Sequence, residues 1–184
     1  LTLLFGGATA AAVMGDTWGW DGSAWTQLAK DGPPPRTFAA MVSDEQSGVV
    51  YLFGGRRVLF GPVLDDNQFL GDLWRWDGHA WSNVGVIGPV PRAESAAAWD
   101  QRRRRLIVFG GYRAVGGVVS LLGDTWEFDG ARWALAATEG PSPRSGAAMF
   151  FDEALGKAIL FGGSGARSDT WAWDGEAWHQ VGGG

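Results

Sequence analysis

The chain has 184 residues, 46% of them hydrophobic, and 15 Lys and Arg against 20 Asp and Glu, for a formal charge of −5. That apolar content excludes disorder, and the acidic balance lacks the basic stripe of a nucleic-acid binder. With no cysteine, disulfides, thiolate nucleophiles and Cys-ligated metals drop out, and no apolar run approaches the roughly 20 residues needed to span a bilayer.

In chain order, the first predicted element is a strand, Leu3-Leu4-Phe5 running into Gly6-Gly7. The same pattern returns at Tyr51–Gly55, Ile107–Gly111 and Ile159–Gly163. β-Branched and aromatic residues favour the strand, and the paired glycines mark a turn needing positive φ. A stretch of changing length follows: 8, 16, 12 or 5 residues, at 8–15, 56–71, 112–123 and 164–168.

Next comes Asp-x-Trp-x-[Trp/Phe]-Asp-Gly-x-x-Trp, at Asp16–Trp25, Asp72–Trp81, Asp124–Trp133 and Asp169–Trp178, holding 11 of the 12 tryptophans. Its period-two aromatics predict a strand, Asp-Gly a tight hairpin, and the final Trp a further strand. Pro-x-Pro-Arg then ends at Arg36, Arg92 and Arg144. Each arginine lies 11 residues after a final Trp and 18 before the next Gly-Gly. After it, Thr37–Ser43, Ala93–Trp99 and Ser145–Phe151 read as Ala-rich strands ending at Asp44, Asp100 and Asp152, with polar turns beyond.

Four antiparallel strands per unit of about 45–55 residues is the pattern of a propeller blade. The sequence resembles the kelch repeats of bacterial β-propellers over essentially its whole length. The resemblance is carried by Gly6, Gly7, Gly54, Gly55, Gly110, Gly111, Gly162 and Gly163, and by Trp25, Trp81, Trp133 and Trp178. It departs where Trp20, Trp76, Phe128 and Trp173 replace the usual Tyr and the following turn shortens to Asp-Gly. The expected fold is all-β, with four-stranded antiparallel blades of which about 3.75 are present. The units are 1–32 (partial), 33–88, 89–140 and 141–184. The favoured reading is a segment of a propeller of about six or seven blades. The alternatives are a closed four-bladed ring or two copies pairing into a larger one. Small residues of the first strand suit the axis, and indoles, each burying on the order of 150–250 Å², fill the wedges between blades. The edge of Leu1–Gly7 is left unpaired, a route to self-association.

Strand alternation puts every length-variable loop and all three Pro-x-Pro-Arg arginines on one face, where binding tends to reside. Arg36, Arg92 and Arg144, with Arg56, Arg57, Arg113 and Arg167 from the variable loops, are candidate contacts for carboxylate or phosphate. The resemblance implies arginines placed to grip acidic peptides. The repeated arginines could equally pair with blade backbone or with a repeated Asp. The aspartates of the Trp motif read as turn and strand-end residues. Asp65-Asp66-Asn67 lacks EF-hand spacing. His79 and His179 have no third ligand in register, so no metal or cofactor is expected. Arg102–Arg105 occupies a first-to-second turn and reads as solvated.

The functional expectation is a non-catalytic scaffold for a protein or peptide partner. The alternative is a carbohydrate-binding or sugar-modifying propeller using Glu94 and the arginines. Among kelch-like relatives, copper-dependent sugar oxidation needs a Cys–Tyr crosslink, which a chain without cysteine cannot form.

Overall fold

The computed structural model describes residues 1–58 and 65–182. The chain builds four successive antiparallel sheets of one strand order. The first holds β1 (Thr2–Ala8), β2 (Val13–Trp20) and β3 (Trp25–Ala29). The second holds β4 (Ala40–Asp44), β5 (Val49–Phe53), β6 (Leu73–Trp76) and β7 (Trp81–Asn83). In the third, β8 (Ala96–Asp100) and β9 (Arg105–Phe109) precede a separate hairpin, β10 (Tyr112–Val115) with β11 (Val118–Leu121). The third sheet is completed by β12 (Thr125–Phe128) and β13 (Trp133–Ala137). The fourth holds β14 (Ala148–Asp152), β15 (Lys157–Phe161), β16 (Thr170–Trp173) and β17 (Trp178–Gly182). The architecture is all-β and propeller-like; among the described residues no strand of the first sheet pairs with one of the last.

Three local expectations need correction. The inner strands begin at Ala40, Ala96 and Ala148, three residues later than the Ala-rich pattern indicates. The cause is a left-handed residue two positions after each arginine: Phe38 at φ 58°, Glu94 at 54° and Gly146 at 64°. This kink turns the amide toward the neighbouring sheet, so Glu94 N–H donates to Phe38 O (2.9 Å) and Gly146 N–H to Glu94 O (3.0 Å). Left-handed backbone costs about 1–2 kcal/mol for a residue with a Cβ, and the inter-sheet hydrogen bonds offset it. Secondly, the Asp-Gly turn is a four-residue loop, with Trp76 facing Trp81 across Asp77–Ala80. The Asp77 carboxylate accepts from the amides of His79 and Ala80, and the other three loops repeat the motif. The third is the β10–β11 hairpin, which rises from a stretch whose varying length hid it.

The sheets are joined by their final tryptophans. Trp81 packs edge-on against Phe5 of the preceding sheet and Trp178 edge-on against Phe109, while Trp133 sits tilted on Phe53, at centroid distances of 5.5, 5.4 and 5.3 Å. Each also leans on an aromatic of its own sheet: Trp76, Phe128 or Trp173. Trp81 and Trp178 donate their indole N–H to Thr17 and Thr125 of the sheet before, both at 2.8 Å. Position 73 in the second sheet is Leu, so the Trp133 Nε1, although buried, has no partner among the described residues. Backbone supports the junctions too: Gly55 N–H donates to Arg92 O and Gly111 N–H to Arg144 O, each at 2.8 Å. Trp25 differs, since no described sheet precedes it, and it is half-exposed.

Trp133→Ala should therefore cost about 3–5 kcal/mol, as core Trp truncations do, while Trp25→Ala costs well under half of that; chemical denaturation of both variants measures the contrast. Thr125→Val keeps the shape but orphans the Trp178 indole N–H, so it should destabilise by about 1–3 kcal/mol in the same assay.

Candidate functional site

Antiparallel alternation places the β1–β2, β5–β6, β9–β12 and β15–β16 connections on one face, together with the crossings from one sheet to the next. The geometry there separates the candidate arginines into two groups.

Arg36, Arg92 and Arg144 do not reach the surface of that face. All three are fully buried, each inside its own sheet unit. Arg36 makes a two-pronged pair with Asp72 (2.6 and 2.9 Å) and donates to Gly54 O and Pro34 O. Arg92 repeats this with Asp124, Gly110 O and Val90 O, and Arg144 with Asp169, Gly162 O and Ser142 O. Trp74, Trp126 and Trp171 each add an indole N–H to the same carboxylate, at 2.6–2.7 Å. A fork-to-fork pair uses both terminal nitrogens of the guanidinium, and burial keeps a ligand from reaching the side chain. Of the two readings of these three residues, burial rules against the contact role, and the geometry shows the other, pairing with blade backbone and a repeated Asp.

The carboxylates respond in a definite direction. Burial pushes Asp72 and Asp124 up, but the hydrogen bonds and charge of Arg36 or Arg92, and the indole of Trp74 or Trp126, outweigh it and hold both below the usual range. At Asp169 the hydrogen bonds from Arg144 dominate, and the group titrates well below an ordinary Asp.

The loop residues are disposed differently. Arg56 is buried and braces the hairpin: its Nη1 donates to the Tyr112 hydroxyl (2.9 Å) and its Nε to Val58 O (3.1 Å). Tyr112 stands edge-on to Phe69 at 5.4 Å, above a small cluster with Ala93 and Ala114. Phe69 follows a 3-10 turn, Asp66–Gln68, capped by the Asp65 carboxylate, which accepts from the Asn67 amide. That is a structural use of the acidic run; Leu64 beside it lies outside the described residues. Arg57 is exposed and borders a cleft of about 440 Å³ lined by Thr9, Ala12, Val13, Pro35 and Val58. Arg113 stands half-exposed on β10. Arg167 donates to the Ser142 hydroxyl (3.1 Å) and to Ser164 O, close to the buried Arg144. Glu94, half-buried at the inner end of the face, accepts from the Ser145 hydroxyl at 2.9 Å.

Sequence reasoning missed the hairpin surface. β10 and β11 meet through Gly116-Gly117, both at positive φ, as a two-residue hairpin turn requires. They leave Val115, Val118, Val119 and Leu121 exposed. Gly-Gly between two aliphatic pairs was the available signal.

On the opposite face the basic run is engaged rather than merely solvated. Arg102 donates to Glu153 O and Ala154 O of the fourth sheet, Arg104 reaches Asp44 of the second (3.3 Å), and Arg105 pairs with Asp129 (3.1 Å). Arg103 holds Asp100 (2.6 Å) and Glu127 (2.7 Å), and Glu127 also accepts the Trp173 indole N–H from the fourth sheet. Burial works against the Arg103 charge, but Glu127 and Asp100 outweigh it and raise its pKa. The run ties three sheets together. His179 pairs with Asp174 at 2.8 Å, and among the described residues no cluster of His, Asp or Glu has the makings of a metal site.

Comparison with known proteins agrees with this architecture. No family model matches the chain. It is similar to dynein regulatory complex subunit 7 of Chlamydomonas reinhardtii, 34% identical over 122 residues, which is 60% of this chain and 10% of that protein. Among solved structures it resembles YjhT, with a TM-score of 0.70 and 15% identity over 91% of this chain and 52% of that one. The chain thus spans about half of the structure and a tenth of the curated relative it matches. The structural likeness establishes a propeller-type fold.

The lowered aspartates fix a pH dependence. A carboxyl whose folded pKa is depressed binds fewer protons folded than unfolded, so its stabilisation is complete above the ordinary Asp range, near about pH 4, and is lost as pH falls through and below it. Acid titration followed by tryptophan fluorescence should show stability falling below that point, and Asp124→Asn should be less stable at neutral pH with a shallower acid loss.

Proposed function

We propose that the chain is a non-catalytic recognition scaffold that binds a protein or peptide partner through the face carrying the variable loops. The observation that carries this reading is the β10–β11 hairpin. It is braced from below by Arg56, Tyr112 and Phe69, yet it turns four aliphatic side chains to solvent. Apolar surface held rigidly in the open is the mark of a contact surface for another macromolecule, because water gains nothing from it and a partner does. Arg57, Arg113 and Arg167 lie on the loops of the same face, and Arg suits a partner bearing carboxylates. The partner is thus an apolar segment flanked by Asp or Glu. Fold alone does not assign function; the reading rests on this surface.

A carbohydrate-binding role is the second reading. Glu94 with the Ser145 hydroxyl, beside the exposed ring of Phe38, gives the inner end of the face one acid, one hydroxyl and one stacking surface.

The two readings separate in one experiment. The parent protein, a Val118→Ser/Val119→Ser variant and Glu94→Gln are tested for protein capture from an extract of the source cells and for binding to a glycan array. The scaffold reading expects a captured protein whose retention drops about tenfold or more in the hairpin variant, as loss of a central contact produces, with the array blank. Glycan binding abolished by Glu94→Gln and untouched by the hairpin variant would transfer the conclusion to the sugar reading.

A further inference from the structure

The β10–β11 hairpin carries an open edge of backbone besides its aliphatic side chains. In an antiparallel ribbon, facing residues alternate between pairs bonded to each other and pairs whose N–H and C=O point outward. Tyr112 points outward: its N–H donates to Ala93 O and its C=O accepts from the Ala93 N–H, both at 2.9 Å. Tyr112 faces Leu121, and two steps on Ala114 faces Val119. Leu121 and Val119 therefore turn N–H and C=O away from β10, to an edge where no strand pairs with them among the described residues.

Sheet edges are ordinarily blunted by charge, proline or a bulge. Val118-Val119-Ser120-Leu121 has neither charge nor proline, and its pairing with β10 runs without a register shift. Val119 is 49% exposed and Leu121 41%. The third sheet has the second on one side and the fourth on the other, so this edge is not one that a further sheet of the stack would cover.

We infer that β11 takes up an extended segment of a partner protein as a third strand of the hairpin, one whose side chains alternate between aliphatic residues and Asp or Glu. The inference rests on the scaffold reading above and adds how the partner is held: main-chain bonds to an open edge supply affinity, and alternate side chains supply selectivity. Val119 and Leu121 lie on one face with Ala114 and Tyr112 opposite; Val118 and Ser120 lie on the other with Val115 and Arg113 opposite. An aliphatic residue beside Val119 or Leu121 extends the apolar face that ends on the buried Ala114. An acidic residue beside Ser120 stands two strand spacings, about 10 Å, from Arg113. The two long side chains together span that distance over the small serine. Arg113 is half-exposed and has no carboxylate partner among the described residues. A second copy fits poorly, because Arg113 is the only charged residue from Tyr112 to Leu121, and two such edges would bring together two arginines and no carboxylate.

The probe is a short capped peptide of alternating Glu and Val, titrated into the 184-residue protein and followed by amide NMR. Binding with a Kd of about 1 mM or tighter should move the β11 amide signals and slow exchange of the Val119 and Leu121 N–H with solvent. Val119→Pro deletes one outward donor and leaves the bonds between β11 and β10, since proline is tolerated on an edge. It should weaken binding about tenfold or more, whereas Val119→Thr should bind like the parent. Only alternate amides of a strand face one edge, so N-methylating one set of the peptide, the valines or the glutamates, should abolish binding and N-methylating the other should not. Arg113→Glu should lose this peptide and take up one of alternating Lys and Val, which keeps the test decisive if Val119→Pro disturbs the hairpin. No response at β11 to millimolar peptide, or an equal effect of the two methylated peptides, overturns the inference. Self-association of the parent that Val119→Pro removes overturns the choice of occupant in favour of a second copy. In the capture experiment above, a partner lost on Val118→Ser/Val119→Ser but retained by Val119→Pro overturns strand addition alone. Capture indifferent to the hairpin overturns the scaffold reading with it.

Discussion

Everything in this stack depends on an indole reaching across a gap. Among the described residues neighbouring sheets share no ladder of strand pairing; beside a few backbone hydrogen bonds and arginine contacts, what joins them is the final Trp of one sheet set against the Phe of the sheet before. The ring is large enough to bury surface on both sides at once, and its N–H gives the contact a direction where a threonine stands opposite. Because the donor always belongs to the later sheet and the acceptor to the earlier one, the stack is polar along its length.

The Arg–Asp–Trp clusters serve a different purpose. An arginine buried without its carboxylate would be very costly, and pairing is what makes its burial tolerable. Each cluster ties the chain entering a sheet to the start of that sheet's third strand, closing over the intervening loop. A loop between two fixed ends bears only a slowly growing entropic cost with length. The clusters thus explain how the connection between β5 and β6 and that between β15 and β16 differ so much in length while the sheets beneath them superimpose in register. Variation is permitted where it does not disturb the frame, and the hairpin is one such elaboration.

Much of this was legible in the sequence because strands and loops obey different spacing rules. Constant intervals of 11 and 18 residues mark segments whose geometry is fixed, and the alternating aromatics of Trp74 and Trp76 give the period of two directly. That each repeated arginine could meet a repeated Asp was legible, but which Asp it would be was not. Arg36 and Asp72, Arg92 and Asp124, and Arg144 and Asp169 are separated by 36, 32 and 25 residues, so the variable loop between them erased the regularity that would have linked them. The late start of the inner strands was hidden for another reason: only Gly146 announces a left-handed residue, while Phe38 and Glu94 occupy the same conformation against their propensity. The basic run is the exposed turn that the sequence indicates, but its ties to Asp44 and the Glu153 carbonyl reach other sheets, beyond any local pattern.

Leu73 shows how far the repeat tolerates an imperfect copy. At the junctions made by Trp81 and Trp178 a threonine satisfies the indole; at the Trp133 junction a leucine packs instead and the N–H stays unpaired. Leucine there joins the same apolar cluster as Phe53, Val108 and Trp133, so hydrophobic contact offsets part of the about 1–3 kcal/mol that an unpaired buried N–H costs. This site also ranks the forces at the junction: ring burial against the preceding Phe is common to all three, whereas the hydrogen bond is present in two. The indole's area therefore holds the sheets together, and the threonine refines how it is seated.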